Sequence, residues 1–407
     1  MVQASAHSVL DIFNPAYRPD PYPVYRAIRA AGALHPLAER IYLATGMADC
    51  SLVLGDVAWG HGYDDQISPF RPGVGRDDVP GSFLGMDPPD HTRLRRLVSR
   101  AFTPRKIARL RARAEEIASG LLDSAQDRNE VDLIEDFADP LPLTMTCEIV
   151  GVPVGDYPVF REWSSAIVRG VDPDALLAPD EVAARYTAEA AFEDYIRTLV
   201  AERRRRHKGD LLSDLAAIEQ SGDMLSEHEL LEIGATLMVA GHETTVNGLG
   251  NALISLHRNP GQLALLRNDP DLAAAAVEES LRYDSPVQYT SRVALEEREL
   301  AGRRFERGEG VVLMIGSANR DPDAYDDPER FDIMRYHGAS PATRHLAFST
   351  GPHHCLGAQL ARMVMDVALR ALLDRAPDLT LATLDAPEYR NLYLFRGPRT
   401  LPARLRP

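Results

Sequence analysis

Apolar residues recur at three- and four-residue spacing over long stretches of this chain, which predicts helices at Arg105–Gln126, Asp180–Arg206, Ser226–Arg258, Pro270–Tyr283 and Cys355–Arg375. Short runs with β-type alternation predict strands at Ile41–Ala44, Ser291–Leu300, Gly310–Ile315 and Asn391–Phe395. The balance points to a mainly α fold with a small β part. No Ser/Gly-rich linker or internal repeat divides the 407 residues, so one large domain over 1–407 is expected.

The clearest helix opens at Ser226-Glu227-His228-Glu229, where a Ser N-cap is followed three residues later by Glu, and it stops at Asn259-Pro260. Its length of roughly 50 Å is enough to cross a whole domain. Leu230, Leu231, Ile233, Leu237, Met238 and Val239 spread around the helix instead of along one stripe, as in a buried helix. Yet its middle reads Gly241-His242-Glu243-Thr244-Thr245. Polar groups at the centre of a buried helix are costly unless satisfied. They are either hydrogen-bonded within the core or mark a helix that crosses an active site.

Composition narrows the function. The chain is 45% hydrophobic and 26% charged, which excludes wholesale disorder. A net charge of −15 argues against nucleic acid as the main partner. No run approaches the eighteen apolar residues of a membrane span, and Met1–Leu10 has no secretory signal pattern, so a cytoplasmic protein is expected. Three cysteines, Cys50, Cys147 and Cys355, make no CxxC pair and no even framework. Dinucleotide, P-loop and serine-elbow signatures are missing. His242-Glu243-Thr244-Thr245-Val246 begins like a zinc-protease helix, but Val246 stands where the second His must be.

The remaining candidate chemistry lies at Phe348-Ser-Thr-Gly351-Pro-His353-His354-Cys355-Leu-Gly357. A cysteine opening a helix faces free N–H groups and the positive dipole end, both of which favour thiolate. Gly351 and Gly357 allow close backbone approach to something flat. Taken alone, Cys355 reads more readily as an inert buried thiol.

The whole string matches FxxGxxxCxG at Phe348, Gly351, Cys355 and Gly357, and here the chain resembles a cytochrome P450 of the soluble bacterial type. Further motifs follow in the family's order. Glu279-Ser-Leu-Arg282 resembles the ExxR pair, and Pro328-Glu329-Arg330-Phe331 resembles the segment whose Arg commonly joins that pair. Ala240–Thr244 resembles the oxygen-binding stretch of the I helix, near 226–258, and His91–Arg95 resembles the C-helix HxxxR.

The resemblance implies haem b (iron protoporphyrin IX) between that I helix and an L helix near 356–373. Cys355 would be the iron ligand, with His91, Arg95, Arg292 and His353 meeting the propionates. Thr244 and Glu243 would serve dioxygen activation, and Gly241 would leave room for oxygen. Phe83, Leu84, Leu237, Met238, Gly241, Val287, Gln288, Tyr289, Tyr393 and Leu394 would line the pocket for a small, mostly apolar substrate. The implied activity is insertion of one atom of O2, with desaturation, ring coupling, peroxide chemistry or a non-catalytic haem carrier as alternatives. The sequence contains no flavin or iron–sulfur module, so a ferredoxin and its NAD(P)H-dependent reductase are the expected partners of a monomer. Nine basic residues and no acid lie in His91–Arg113, and the resemblance makes this the donor's docking face. His354 departs from the aromatic or aliphatic residue frequent before the cysteine, a position that bears on the redox potential.

Overall fold

The computed structural model describes residues 7–75, 84–100, 102–125, 127–128, 130–169, 172, 177–220, 225–338 and 342–406, with only the backbone at 220, 238 and 239. Phe83 lies outside the described residues, and the side chain of Met238 does as well. The helices are α1 Tyr22–Ala31, α2 Met47–Gly55, α3 Asp90–Ser99, α4 Pro104–Ala125, α5 Pro140–Val150, α6 Tyr157–Arg169, α7 Pro179–Arg205, α8 Leu211–Gln220, α9 Glu227–Arg258, α10 Pro260–Asn268, α11 Ala273–Tyr283, α12 Ile315–Ala318 and α13 Ala358–Arg375. The strands are β1 Leu34–Ala38, β2 Ile41–Ala44, β3 Trp59–Gly60, β4 Val131–Asp132, β5 Thr290–Ala294, β6 Arg298–Leu300, β7 Arg303–Phe305, β8 Gly310–Leu313, β9 Thr380–Leu381 and β10 Pro402–Arg404.

The chain divides into two compact units. The first comprises Met1–Asp78, Asn251–Cys355 and Leu381–Leu401; the second comprises Val79–Gly250, Leu356–Thr380 and Pro402–Pro407.

The first unit holds a five-stranded sheet in the order β1-β2-β8-β5-β3. β8 reads Gly-Val-Val-Leu and is buried along its whole length, as a β-branched strand covered on both faces must be. It runs parallel to β2 and antiparallel to β5, where Arg292 pairs with Val311. One face packs on Tyr22, Val24, Tyr25 and Ile28 of the amphipathic helix α1. The other face packs on Cys50, Val53 and Leu54 of α2.

The second unit is a helical core in which α3, α5, α6, α7, α8 and the first part of α9 contribute Leu94, Cys147, Phe160, Phe192, Ile196, Leu212 and Ile233. β10 pairs with β4 in register Ala403↔Val131. The Ser226 cap forms as expected: Glu229 N–H donates to Ser226 Oγ (3.2 Å), and Ser226 N–H donates to Glu229 Oε2 (2.8 Å).

Three expectations need correction. Ser291–Leu300 is two strands, because the chain turns between β5 and β6, and β6 pairs with β7. Asn391–Phe395 forms no strand; Phe395 makes an isolated bridge with Val287, and the neighbouring bonds are irregular. Cys355 does not open a helix. α13 begins at Ala358 with Gly357 as its N-cap, and Cys355 lies in the turn before it.

Candidate active site

The cysteine turn belongs to the first unit. It is folded by its own backbone: Cys355 N–H donates to the Phe348 carbonyl (2.8 Å), and His354 N–H donates to that of Gly351 (3.1 Å). Ser349 and Gly351 adopt positive φ, +58° and +69°. A Cβ at Gly351 would fall 2.2 Å from the Leu54 carbonyl oxygen, so the end of α2 presses on backbone that only glycine permits. Of the three thiols, Cys50 and Cys147 are buried and Cys355 is exposed. Burial pushes the thiols of Cys50 and Cys147 far up, which makes them poor nucleophiles and poor ligands. The turn thus presents one accessible sulfur.

The same unit carries several of the sequence candidates. Arg292 is buried on β5, with Nη1 donating to the Ser291 carbonyl (2.7 Å) and to Thr290 Oγ1 (3.4 Å). His353 sits edge-on to His61, with ring centroids 5.0 Å apart. Gln288 is buried: it accepts from Tyr25 Oη (2.9 Å), and its Nε2 donates to the Ser285 carbonyl (2.6 Å). Tyr289 and Tyr393 both pack edge-on against Phe13 (6.2 and 5.9 Å), and Leu394 gives its carbonyl to Gln288 N–H (2.8 Å). Val287, Gln288, Tyr289, Tyr393 and Leu394 are therefore brought together around the Val287–Phe395 bridge.

The Glu279–Arg282 pair on α11 is fully buried and bidentate, with Nε–Oε2 at 2.7 Å and Nη2–Oε1 at 2.8 Å. The remaining Arg282 donors reach the carbonyls of Asn319 (3.0 Å), Pro328 (2.9 Å) and Arg330 (3.1 Å). Here the expectation about Arg330 fails. Its guanidinium is 60% exposed and faces Asp332 at 3.7 Å, while only its backbone carbonyl meets the pair. Arg335 takes the place instead, with Nε 3.3 Å from Glu279 Oε2. Asp332 N–H adds a bond to Glu279 Oε1 (2.8 Å).

The second unit carries the other candidates. α3 buries His91, Leu94, Leu97 and Val98 on one face and leaves Arg95 half-buried on its flank. On α9, Glu243 is buried and Thr244 half-buried. Thr244 Oγ1 donates to the Ala240 carbonyl (2.9 Å), leaving its lone pairs as acceptors. Glu243 Oε1 has Asn247 Nδ2 at 3.5 Å, at the long limit of a hydrogen bond. Gly241 is a packing glycine, since a Cβ there would lie 3.1 Å from Thr146 Oγ1 of α5. Leu237 is partly buried against the unit's core, and Leu84 is exposed.

Sequence reasoning missed a buried His242–Asp139 pair next to Glu243, which the part-exposed Arg161 flanks. His242 Nε2 lies 2.8 Å from Asp139 Oδ1, and Arg161 Nε lies 2.5 Å from Asp139 Oδ2. No local spacing signals a contact between residues so far apart in sequence.

Comparison with known proteins decides the family. The Cytochrome P450 family model matches residues 80–376. Cytochrome P450 107B1 of Saccharopolyspora erythraea is 44% identical over 336 residues, covering 82% of this chain and 79% of that protein. The chain belongs to the cytochrome P450 family. The cytochrome P450 monooxygenase PikC of Streptomyces venezuelae is 38% identical over 98% of this chain and 94% of its own. The solved structure of Mycobacterium smegmatis CYP164A2 superposes with a TM-score of 0.88 at 40% identity, covering 97% of this chain and 98% of that one. This P450 is thus a haem-thiolate monooxygenase of the bacterial kind, using O2, an organic substrate and electrons from redox partners.

The residues present fit the cofactor. Among the described residues no group of three His, Cys, Asp or Glu could hold a metal ion by itself. A single exposed thiol is a donor set that a porphyrin completes. No described helix is long and apolar enough to cross a membrane.

Proposed function

We propose that this P450 holds haem b through Cys355 and oxygenates a small, mostly apolar organic molecule. In this reading the whole chain is one P450 domain, a cytoplasmic monomer supplied with electrons by a ferredoxin and an NAD(P)H-dependent reductase. The observation that carries it is the single accessible sulfur of Cys355, at the end of a glycine-shaped turn.

Bound haem supplies the activation of dioxygen and the transfer of its oxygen atom. The protein's own residues do the rest. The Cys355 sulfur would hold the haem iron as a thiolate. Arg292 and Arg95 offer planar forks, and His91 and His353 offer ring nitrogens, to the two propionate carboxylates, which could not be buried uncompensated. Thr244 accepts and relays a hydrogen bond through the hydroxyl anchored on Ala240, and Glu243 takes up protons for it. Val287, Tyr289, Tyr393 and Leu394 give the substrate an apolar and aromatic wall that excludes water.

The basic face of α3 and α4 is partly neutralised. Arg93 pairs with Glu229, Lys106 with Asp214, Arg111 with Asp366 and Arg113 with Glu148. Arg100, Arg105 and Arg109 stay exposed and form the core of the proposed donor-docking face.

The test is the absorbance of the reduced, haem-loaded protein under carbon monoxide. A red-shifted Soret band in the parent, and its loss in Cys355→Ala, is expected. A band typical of histidine-ligated haem in the parent, or one unchanged in the variant, would overturn the reading.

A further inference from the structure

A recess in the first unit has walls drawn from the N-terminal segment and from the loop after Glu388. Its walls carry three arginines, Arg18, Arg390 and Arg396, and no carboxylate, in a chain whose net charge is −15. Arg396 is neutralised: its Nε donates to Asp284 Oδ1 (2.6 Å), and its other nitrogens donate to the carbonyls of Arg18 and Pro19. Tyr22 Oη donates to the same Asp284 oxygen (2.6 Å), which leaves that oxygen little further capacity.

Arg18 is different. Its Nε and Nη2 are shut off from solvent and have no hydrogen-bond partner among the described residues. Its only described compensation is the face of Tyr393, 4.8 Å from the guanidinium carbon. The hydroxyl of Tyr389, on the same wall, is likewise enclosed and unpartnered. Burial and Asp284 hold that phenol above its ordinary range against the opposing pull of Arg396, so it remains a donor. Of the nearest acids along the chain, Asp11 accepts from Ser8 N–H (3.0 Å) and Asp20 from Tyr22 N–H (3.3 Å), and neither meets Arg18 Nε or Nη2. No acid precedes Asp11 in the sequence.

Buried donors on a permanent cation are expensive when unmet, and a native structure seldom leaves two of them so. Water would satisfy the donors but not the charge. A carboxylate does both, through the two-pronged geometry that a guanidinium favours.

We propose that Arg18 and Tyr389 form a binding site for the carboxylate of an organic acid. The acid is either the oxidised substrate itself or a free small carboxylate. Tyr393 lines this recess and also belongs to the substrate wall proposed above, so the first alternative rests on that reading, whereas the anion site does not.

The experiment uses the haem-loaded protein at constant ionic strength and titrates sodium acetate, sodium decanoate, decanol and sodium chloride by calorimetry. Acetate is expected to bind the parent, to lose at least tenfold in affinity in Arg18→Gln, and to lose less in Tyr389→Phe. Arg18→Lys should restore part of the loss and serves as the control for folding. Chloride and decanol should bind parent and variants alike. Acetate that fails to bind the parent, or binds Arg18→Gln as well as the parent, overturns the proposal. If decanoate binding depends on Arg18 and also shifts the haem absorbance, the carboxylate belongs to the substrate. If the dependence comes without the shift, the ligand is a separate acid. The carbon monoxide spectrum of the same samples reports on Cys355 independently of either result.

Discussion

Replacing Arg335 with Ala should destabilise the protein far more than replacing Arg330, although only Arg330 stands in the motif that the sequence offers. Arg335 is 10% exposed, lies 3.3 Å from the fully buried Glu279, and donates to the carbonyls of Asp326 (2.8 Å) and Asp327 (3.2 Å). A hydrogen bond to a charged group contributes about 1.5–3 kcal/mol and an ordinary one about 1 kcal/mol. Glu279 keeps Arg282 when Arg335 is removed, so no charge is stranded, and water takes over the bonds at the exposed Asp326 and Asp327 carbonyls, so the expected loss is that of the Glu279 contact, about 2–3 kcal/mol. Arg330 makes one ion pair at 3.7 Å on a 60% exposed side chain, and its useful carbonyl survives substitution, so its loss should stay below about 0.5 kcal/mol. Glu279→Gln, which leaves Arg282 without its carboxylate, should cost about 3–5 kcal/mol. Urea unfolding of the haem-loaded variants, followed by far-UV circular dichroism and by loss of the Soret band, ranks the three. A midpoint for Arg330→Ala at or below that of Arg335→Ala would refute the assignment of the pair's third member.

Three further outcomes follow from the geometry. Thr244→Ala removes the hydroxyl held on Ala240 and should divert reductant to peroxide; NAD(P)H consumed per product and peroxide released measure it, and unchanged coupling argues against the role. Glu229 is shifted below the ordinary carboxylate range: burial alone would raise it, but the Arg93 guanidinium and the Ser226 N–H outweigh burial. With a folded value below the unfolded one, its contribution is fully present above about pH 4.3 and fades as pH falls through the folded value, so Glu229→Gln should flatten the acid limb of a stability–pH curve. Arg105→Glu with Arg109→Glu reverses two exposed charges and should weaken ferredoxin docking on the order of tenfold at low salt, with the difference shrinking as salt rises; equal reduction rates in both proteins would move the docking face elsewhere.

Much of this molecule is legible in its sequence, and the gaps have physical causes. Long helices with a periodic stripe or a strong cap, such as α4, α7 and α9, stand within a residue or two of their expected bounds. α5 escapes a periodicity argument because Pro-Leu-Pro-Leu-Thr-Met-Thr-Cys-Glu-Ile-Val is buried on nearly every side, and its prolines sit in the first turn, where they are tolerated. Asn391–Phe395 alternates like a strand, but its Tyr393 ring is held by Phe13 and Arg18, and only Phe395 makes a bridge, so no ladder forms. Motif spacing finds residues that act within one turn of helix, such as Glu279 and Arg282. It cannot find Arg335, Asp139 or Arg161, whose contacts close loops of tens to a hundred residues.

The burial of two thiols beside one open thiol turns this chain into its own counter of cofactor occupancy. On the proposed ligation by Cys355, a maleimide that reaches Cys355 but not Cys50 or Cys147 modifies one position in haem-free molecules and none in haem-loaded ones. The labelled fraction read by mass spectrometry therefore equals the share of an enzyme preparation still waiting for its pigment.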